Sequence, residues 1–202
     1  MIEARVEVDL DEVRRRLGIL GDKAPLVVSR AINRTVTNVK KNLAQQTGGS
    51  KGQYNIRSST VKDTLEEKKA TAGSLEGYVR SKGLPILLSA FDAKIKPGPI
   101  REVSYRGGKP MPGHYKAAVM KRGGRKPLAG KPKAFIGKSR AGLVFLQRFS
   151  ERSYPLRPLY GPSVPQMIQN KSTMQYVVRD AGSTLQKRID AEIGNILQRG
   201  RV

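Results

Sequence analysis

Between Ala24 and Gly49 the sequence reads APLVVSRAINRTVTNVKKNLAQQTGG, and Val28, Ile32, Val36, Val39 and Leu43 recur at steps of four, four, three and four. Such spacing lines one face of an α-helix but scatters over both faces of a strand. Pro25 suits a first turn, where its missing N–H has no helical partner, and Gly48-Gly49 suits the stop. The segment therefore predicts a helix of about six turns. A helix this long with one apolar face needs a second layer to bury it.

The remaining segments offer strands and another helix. ARVEVD (4–9) alternates Val6 and Val8 with charge, as a short one-sided strand does. DLDEVRRRLGIL reads as a short helix capped by Asp9 and ended by Gly18 and Gly21. Ser58 or Ser59 is the expected cap of another short helix. LEEKKATA and SLEGYVRS look like two strands parted near Gly73, and LPILLSAF (84–91) is placed in the core. HYKAAVMK, KAFIGK and GLVFLQRF resemble strands of a sheet, with KRGGRKPLAGKPK (121–133) as a basic loop or hairpin tip between the first two. Finally, Met167, Met174, Val178, Ala181, Leu185, Ile189, Ile193 and Ile196 or Leu197 recur at threes, fours and one seven, which predicts a long amphipathic helix with Gly182 and Gly194 as weak points. The order of elements reads as an α+β fold. An antiparallel sheet is packed by a long helix in the N-terminal half and a long C-terminal helix, with an extended basic loop. A single domain over 1–202 is expected, with a basic, loop-rich insertion at about 92–133.

Charge sets the class of partner. The chain has 39 Lys and Arg against 16 Asp and Glu, for a net +23, a balance that points to a polyanion. Residues 91–150 hold 15 of the basic residues and only Asp92 and Glu102. Lys121, Arg122, Arg125, Lys126, Lys131 and Lys133 are the candidate contacts with DNA or an acidic partner. A solvated loop whose charge only maintains solubility explains them equally well. The absence of cysteine and a single histidine, His114, argue against disulfides, metal sites and a Ser-His-Asp triad, and no cofactor is expected. No apolar run approaches the roughly 18 residues of a membrane span. The acidic, alternating start does not read as a signal peptide, which points to the cytosol.

The stretch SYPLRPLYGPSVPQM (153–167) carries four prolines just before the last helix. With Ser163 as N-cap, Gln166 falls at N3, the capping-box pattern, and Pro165 lies in the first turn. Pro162 precedes the cap, where it can pack on Met167, and Gly161 permits a sharp change of direction. Upstream, Tyr154, Leu156, Pro158 and Tyr160 alternate with Pro155, Arg157 and Leu159, as on an extended edge segment, where a sheet tolerates proline. A polyproline ligand is the rival reading, because P-L-R-P and P-S-V-P both satisfy PxxP.

Three pieces together resemble the prophage minor tail protein Z family, the tail-completion proteins of long-tailed bacteriophages. They are SRAINRT (29–35), KAFIG (133–137) and YPLRPLYGPSVPQM (154–167). The resemblance implies a virion structural protein without enzymatic activity, assembled in the host cytoplasm and placed at the neck. It acts late in tail assembly and makes the tail competent to join a DNA-filled head. Implied partners are further copies in a ring, six favoured over twelve, the tail terminator, the head-completion proteins and packaged DNA, with no membrane. The family-motif residues are Arg30, Asn33, Arg34, Tyr154, Pro155, Leu156, Gly161, Pro162, Ser163, Pro165 and Gln166. Arg30 and Arg34 share a helical face beside the apolar stripe. Whether these two and Asn33 serve the core or an interface stays open on sequence alone.

Two other classes compete with this reading. A cellular nucleic-acid-binding protein, ribosomal or nucleoid-like, fits the charge, but no helix-turn-helix, RRM or zinc-finger signature is present. An enzyme is not expected. Asp180 and Asp190 on the last helix and the adjacent Glu66 and Glu67 form no paired-carboxylate site, with Asp180 expected to be exposed.

Overall fold

The computed structural model describes residues 2–6, 8–91, 105–106, 109–110, 116–128, 134–139, 142–150, 152 and 154–199. Strand β1 (Ile2–Val6) leads into α1 (Leu10–Leu17), and a 3-10 segment, Gly18–Lys23, turns the chain into α2 (Ala24–Thr47). Next come α3 (Ser58–Asp63), β2 (Leu65–Lys68) and β3 (Gly77–Ser81). The short strands β4 (Tyr105–Arg106), β5 (Lys109–Pro110), β6 (Lys116–Ala117) and β7 (Lys126–Pro127) follow, then β8 (Phe135–Ser139), β9 (Gly142–Arg148) and β10 (Leu156–Pro158). The chain closes with α4 (Val164–Ile168) and α5 (Lys171–Arg199). This is an α+β architecture with the two long helices where the apolar spacing calls for them.

Helix α2 is the centre of the core. All five residues of its predicted stripe are buried, and so are Val27, Ala31 and Thr35, so the helix is covered on more than one side. The Thr35 hydroxyl donates to the Ala31 carbonyl at 2.9 Å, which satisfies it without a partner from another element. Helix α5 lies along α2, and α1 packs against both. Each fully buried Val, Leu or Ile contributes roughly 1.5–3 kcal/mol. Most of the fold's stability therefore comes from this helix and its neighbours.

Strands β1, β3 and β2 form an antiparallel sheet against another side of α2, with β3 in the middle. A Cβ built on Gly77 would lie 2.5 Å from Ile32 Cγ2 and 2.9 Å from Val36 Cγ2, so β3 crosses the helix with no side chain between them. Glu3 and Arg80 face each other across β1 and β3, and the Glu3 carboxylate accepts from Arg80 Nε at 2.8 Å and Nη2 at 2.5 Å. That hydrogen bond, supported by Arg5, holds Glu3 below the ordinary carboxylate range and raises Arg80.

Several local expectations are corrected. Strand β1 ends at Val6 because Asp9 has turned the chain to cap α1, its Oδ1 accepting from the N–H groups of Asp11 at 2.9 Å and Glu12 at 3.3 Å. Arg57, not a serine, occupies the cap of α3. Of the patch 84–91, Leu88 and Phe91 are buried but Leu84 is 85% exposed. The strands do not make one sheet. Gly123 and Gly124, at φ +109° and +65°, fold β7 back onto β6, while β8, β9 and β10 form a separate three-stranded sheet with β9 in the middle. The last helix is broken at Gln169-Asn170. Asn170 Oδ1 accepts from the N–H of Ser172 at 3.2 Å, and a side chain that takes a backbone donor starts a helix afresh. Val177 rather than Val178 then turns inward, and Val178 sits at the rim of an apolar groove of about 220 Å³ lined by Val39, Leu65, Val79 and Leu185.

Candidate functional site

The basic hairpin is built on a fixed root. Tyr54 bridges to Met120, the Asn55 N–H donates to Val119 O at 2.8 Å, and the Lys121 N–H donates to Gln53 O at 2.9 Å. Asn55 Nδ2 adds a bond to Ala118 O at 3.0 Å. Lys121 Nζ bonds the carbonyls of Gly49 and Ser50, just beyond the C-terminal end of α2. Both carbonyls belong to the loop that follows α2, so the ammonium ties the hairpin root to that loop. Lys121 is thus an anchor, while Arg122, Arg125 and Lys126 are exposed on the tip. Lys131, Lys133 and His114 lie outside the described residues.

The proline-rich stretch forms the joint between the second sheet and the helices. Tyr154-Pro155 is a cis peptide, and β10 pairs through Leu156, Arg157 and Pro158 with β9 alone among the described strands. Beyond it the chain is stitched to 84–91: Leu88 N–H donates to Leu159 O at 2.9 Å and Gly161 N–H to Ile86 O at 2.8 Å. Gly161 has a purpose other than the one expected. Its φ is not positive, but a Cβ would lie 2.5 Å from the Phe91 ring, so the glycine is there for close approach. Ser163 caps α4 in the predicted box, with Gln166 Oε1 accepting from the Ser163 N–H at 2.9 Å. Pro162 is half-buried just before the cap, and Pro165 is buried in the first turn.

This joint displays aromatic surface. Tyr154 is 75% exposed, Phe149 63% and Tyr160 55%, and the Arg157 guanidinium sits 5.2 Å from the centre of the Phe149 ring. All three flank β10, in a chain with only seven tyrosines and four phenylalanines.

Asn33 bonds within its own chain. Its Nδ2 donates to Ala70 O at 2.9 Å and its Oδ1 accepts from Ala70 N–H at 2.7 Å, which clasps the chain leaving β2. Arg30 and Arg34 both face Glu192 on α5, at 3.7 and 3.8 Å, and that carboxylate is only 10% exposed. One turn further along α2, Asn38 and Asn42 meet Asp180, which is half-buried rather than exposed and accepts from their Nδ2 atoms at 2.8 and 2.6 Å. Asp190 pairs with Arg16 at 2.6 Å. Glu66 and Glu67 lie exposed on β2 near Lys82 and Lys40.

The same two helices frame a feature that sequence reasoning missed. Two grooves of about 420 Å³ each meet at Asn33 and Arg34, one bounded by Arg30, Glu192 and Arg199, the other by Lys41, Lys69 and Arg188. Arg30, Arg34, Thr37 and Lys41 recur at four, three and four along α2, a helical register visible in the sequence beside the apolar stripe. Lys69 and Arg188 arrive only through the tertiary fold. Among the described residues no cluster of three His, Cys, Asp or Glu side chains is arranged to hold a metal, and no helix is long and apolar enough to cross a membrane.

Compared with protein-family models, characterised proteins and solved structures, the chain matches none.

Proposed function

We propose that the chain is a structural subunit of a bacteriophage neck, completing the tail and making it competent for head joining as a ring around the DNA channel. The observation that carries this reading is the exposed aromatic edge at β10. Two of its three rings, Tyr154 and Tyr160, lie in YPLRPLYGPSVPQM, the stretch that most resembles the tail-completion family. Aromatic side chains are enriched at protein interfaces, and an apolar patch at an element edge marks a contact surface. Pro158 withholds a backbone donor on the side of β10 away from β9, which opposes unregulated strand addition and leaves contact to the side chains. A ring needs this heterologous kind of contact, one face meeting a different face on the next copy. The tail terminator, the head-completion proteins and DNA in the channel are the further partners, and the protein works by assembly rather than catalysis.

The test is the mass and symmetry of the protein, alone and in purified tails. Six copies are expected, and Tyr154→Ser with Tyr160→Ser should leave a folded monomer. A wild-type protein that is monomeric in both settings would overturn the proposal. The exposed basic tip supports a second reading, a cellular nucleic-acid-binding protein. That reading gains if deletion causes no tail defect while the protein binds free DNA with steep salt dependence.

A further inference from the structure

The groove between α2 and α5 gathers cations from three separate segments of the chain. Arg30, Arg34, Lys41, Lys69, Arg188 and Arg199 line its two connected halves, and among the described residues Glu192 is the one carboxylate in the lining. Glu192 is already faced by both Arg30 and Arg34, so one negative charge stands against two positive ones. Lys41, Lys69 and Arg188 have no carboxylate partner among the described residues and are exposed. Between them the lining is neutral and polar, from Asn33, Thr37, Asn38 and Asn195, with no aromatic ring, and the amides of Asn33 and Asn38 are held in place by Ala70 and Asp180.

Each property selects for a ligand. From Arg30 to Lys41 the α2 rim runs about 16 Å at 1.5 Å per residue. At 3.4 Å of duplex axis per base pair, that length lies along about five base pairs. Cations with neutral hydrogen-bonding groups between them suit phosphate and sugar, which position a nucleic acid without reading it. Single-stranded ligands are held by stacking on aromatic rings, and this groove has none. An acidic protein segment would also meet the charge, but protein contacts bury apolar surface at their centre, and Ile196 is the one apolar residue in the described lining, which favours a ligand held by charge and hydrogen bonds.

We propose that the α2–α5 groove binds the phosphodiester backbone of duplex nucleic acid without sequence preference. The inference goes beyond the assembly reading and does not depend on it, because one copy carries the whole groove.

The experiment measures binding of a fluorescent 20-base-pair duplex of arbitrary sequence by anisotropy, between 50 and 200 mM salt. The variant is Lys41→Gln, Lys69→Gln, Arg188→Gln, chosen because none of the three joins the Glu192 pair or the Asn33 clasp. Its affinity should fall about tenfold or more, with the salt slope shallower by about 2–3, near one for each phosphate no longer neutralised. A second variant, Arg122→Gln with Lys126→Gln on the tip, should retain more of the wild-type affinity. Circular dichroism and the oligomer mass are read on the same samples, so loss of folding or of ring assembly is seen separately. A wild-type slope in the groove variant would overturn the proposal, as would wild-type protein that ignores the duplex at 50 mM salt. Equal affinity for inorganic triphosphate would replace the duplex with a free polyphosphate and overturn it too.

Discussion

Asn33 and Ala70 are joined by two hydrogen bonds, one given and one received, at 2.9 and 2.7 Å. The amide of Asn33 thus treats the backbone of Ala70 as a neighbouring strand would, and ties α2 to the chain leaving β2. Replacing Asn33 with Ala strands a buried N–H and C=O, and should cost about 1–3 kcal/mol in urea denaturation. Asn33→Asp keeps the acceptor but sets a carboxylate oxygen against the Ala70 carbonyl, and should cost at least as much. Variants within about 0.5 kcal/mol of wild type would mean that water replaces the clasp.

Gly161→Ala should destabilise by about 1–3 kcal/mol through overpacking against the Phe91 ring. Phe91→Leu in the same chain should recover part of that loss. A double-mutant cycle with no coupling would remove the ring as the cause.

Asp180 accepts from two asparagine amides on α2, so Asp180→Ala leaves both without a charged acceptor. A loss of about 1–3 kcal/mol is expected. Thermal melting of Asp180→Ala beside Asp180→Asn, which retains one acceptor oxygen, separates the hydrogen bonds from the charge.

The Glu3–Arg80 pair makes the first sheet sensitive to acid. Arg80 holds the folded carboxyl below its unfolded value, so Glu3 contributes stability above the ordinary carboxylate range, about pH 4.3. That contribution is lost as the pH falls through the lowered folded value. Glu3→Gln should therefore be destabilised near neutrality and converge on wild type at low pH, followed by denaturant midpoint against pH. A constant difference across the range would contradict the linkage.

Charge reversal at Arg122, Arg125 and Lys126 should leave the melting temperature within a few degrees, because the hairpin root is held by backbone bonds and by Lys121. In the assembly reading, tails then form but join heads poorly, which electron microscopy of lysates would reveal. Fully infectious particles would assign the tip a solubilising role only.

Periodicity carried the helices well, because burial along α2 repeats at the spacing of the backbone itself. The Ser163 cap was also legible, since its chemistry is completed within four residues. What failed was non-local. Asp180 looks like an exposed helical acid until Asn38 and Asn42 are brought to it, and the groove needs Lys69 and Arg188 from distant segments. The break at Asn170 was hidden because its cap competes with a continuous apolar pattern. Gly161 stands out in the sequence as a turn residue, but no local rule reveals a ring seventy residues away.

The crossing of β3 over α2 at Gly77 has an evolutionary consequence. Hydrogen is the smallest substituent a residue offers, so this position has no smaller replacement and drift has one direction open to it. A change to alanine is survivable only where Ile32 or Val36 shortens in the same lineage. Diverged relatives with alanine in place of Gly77 should therefore carry a smaller residue in place of Ile32 or Val36, a signature that an alignment of their genes can reveal without any protein being purified.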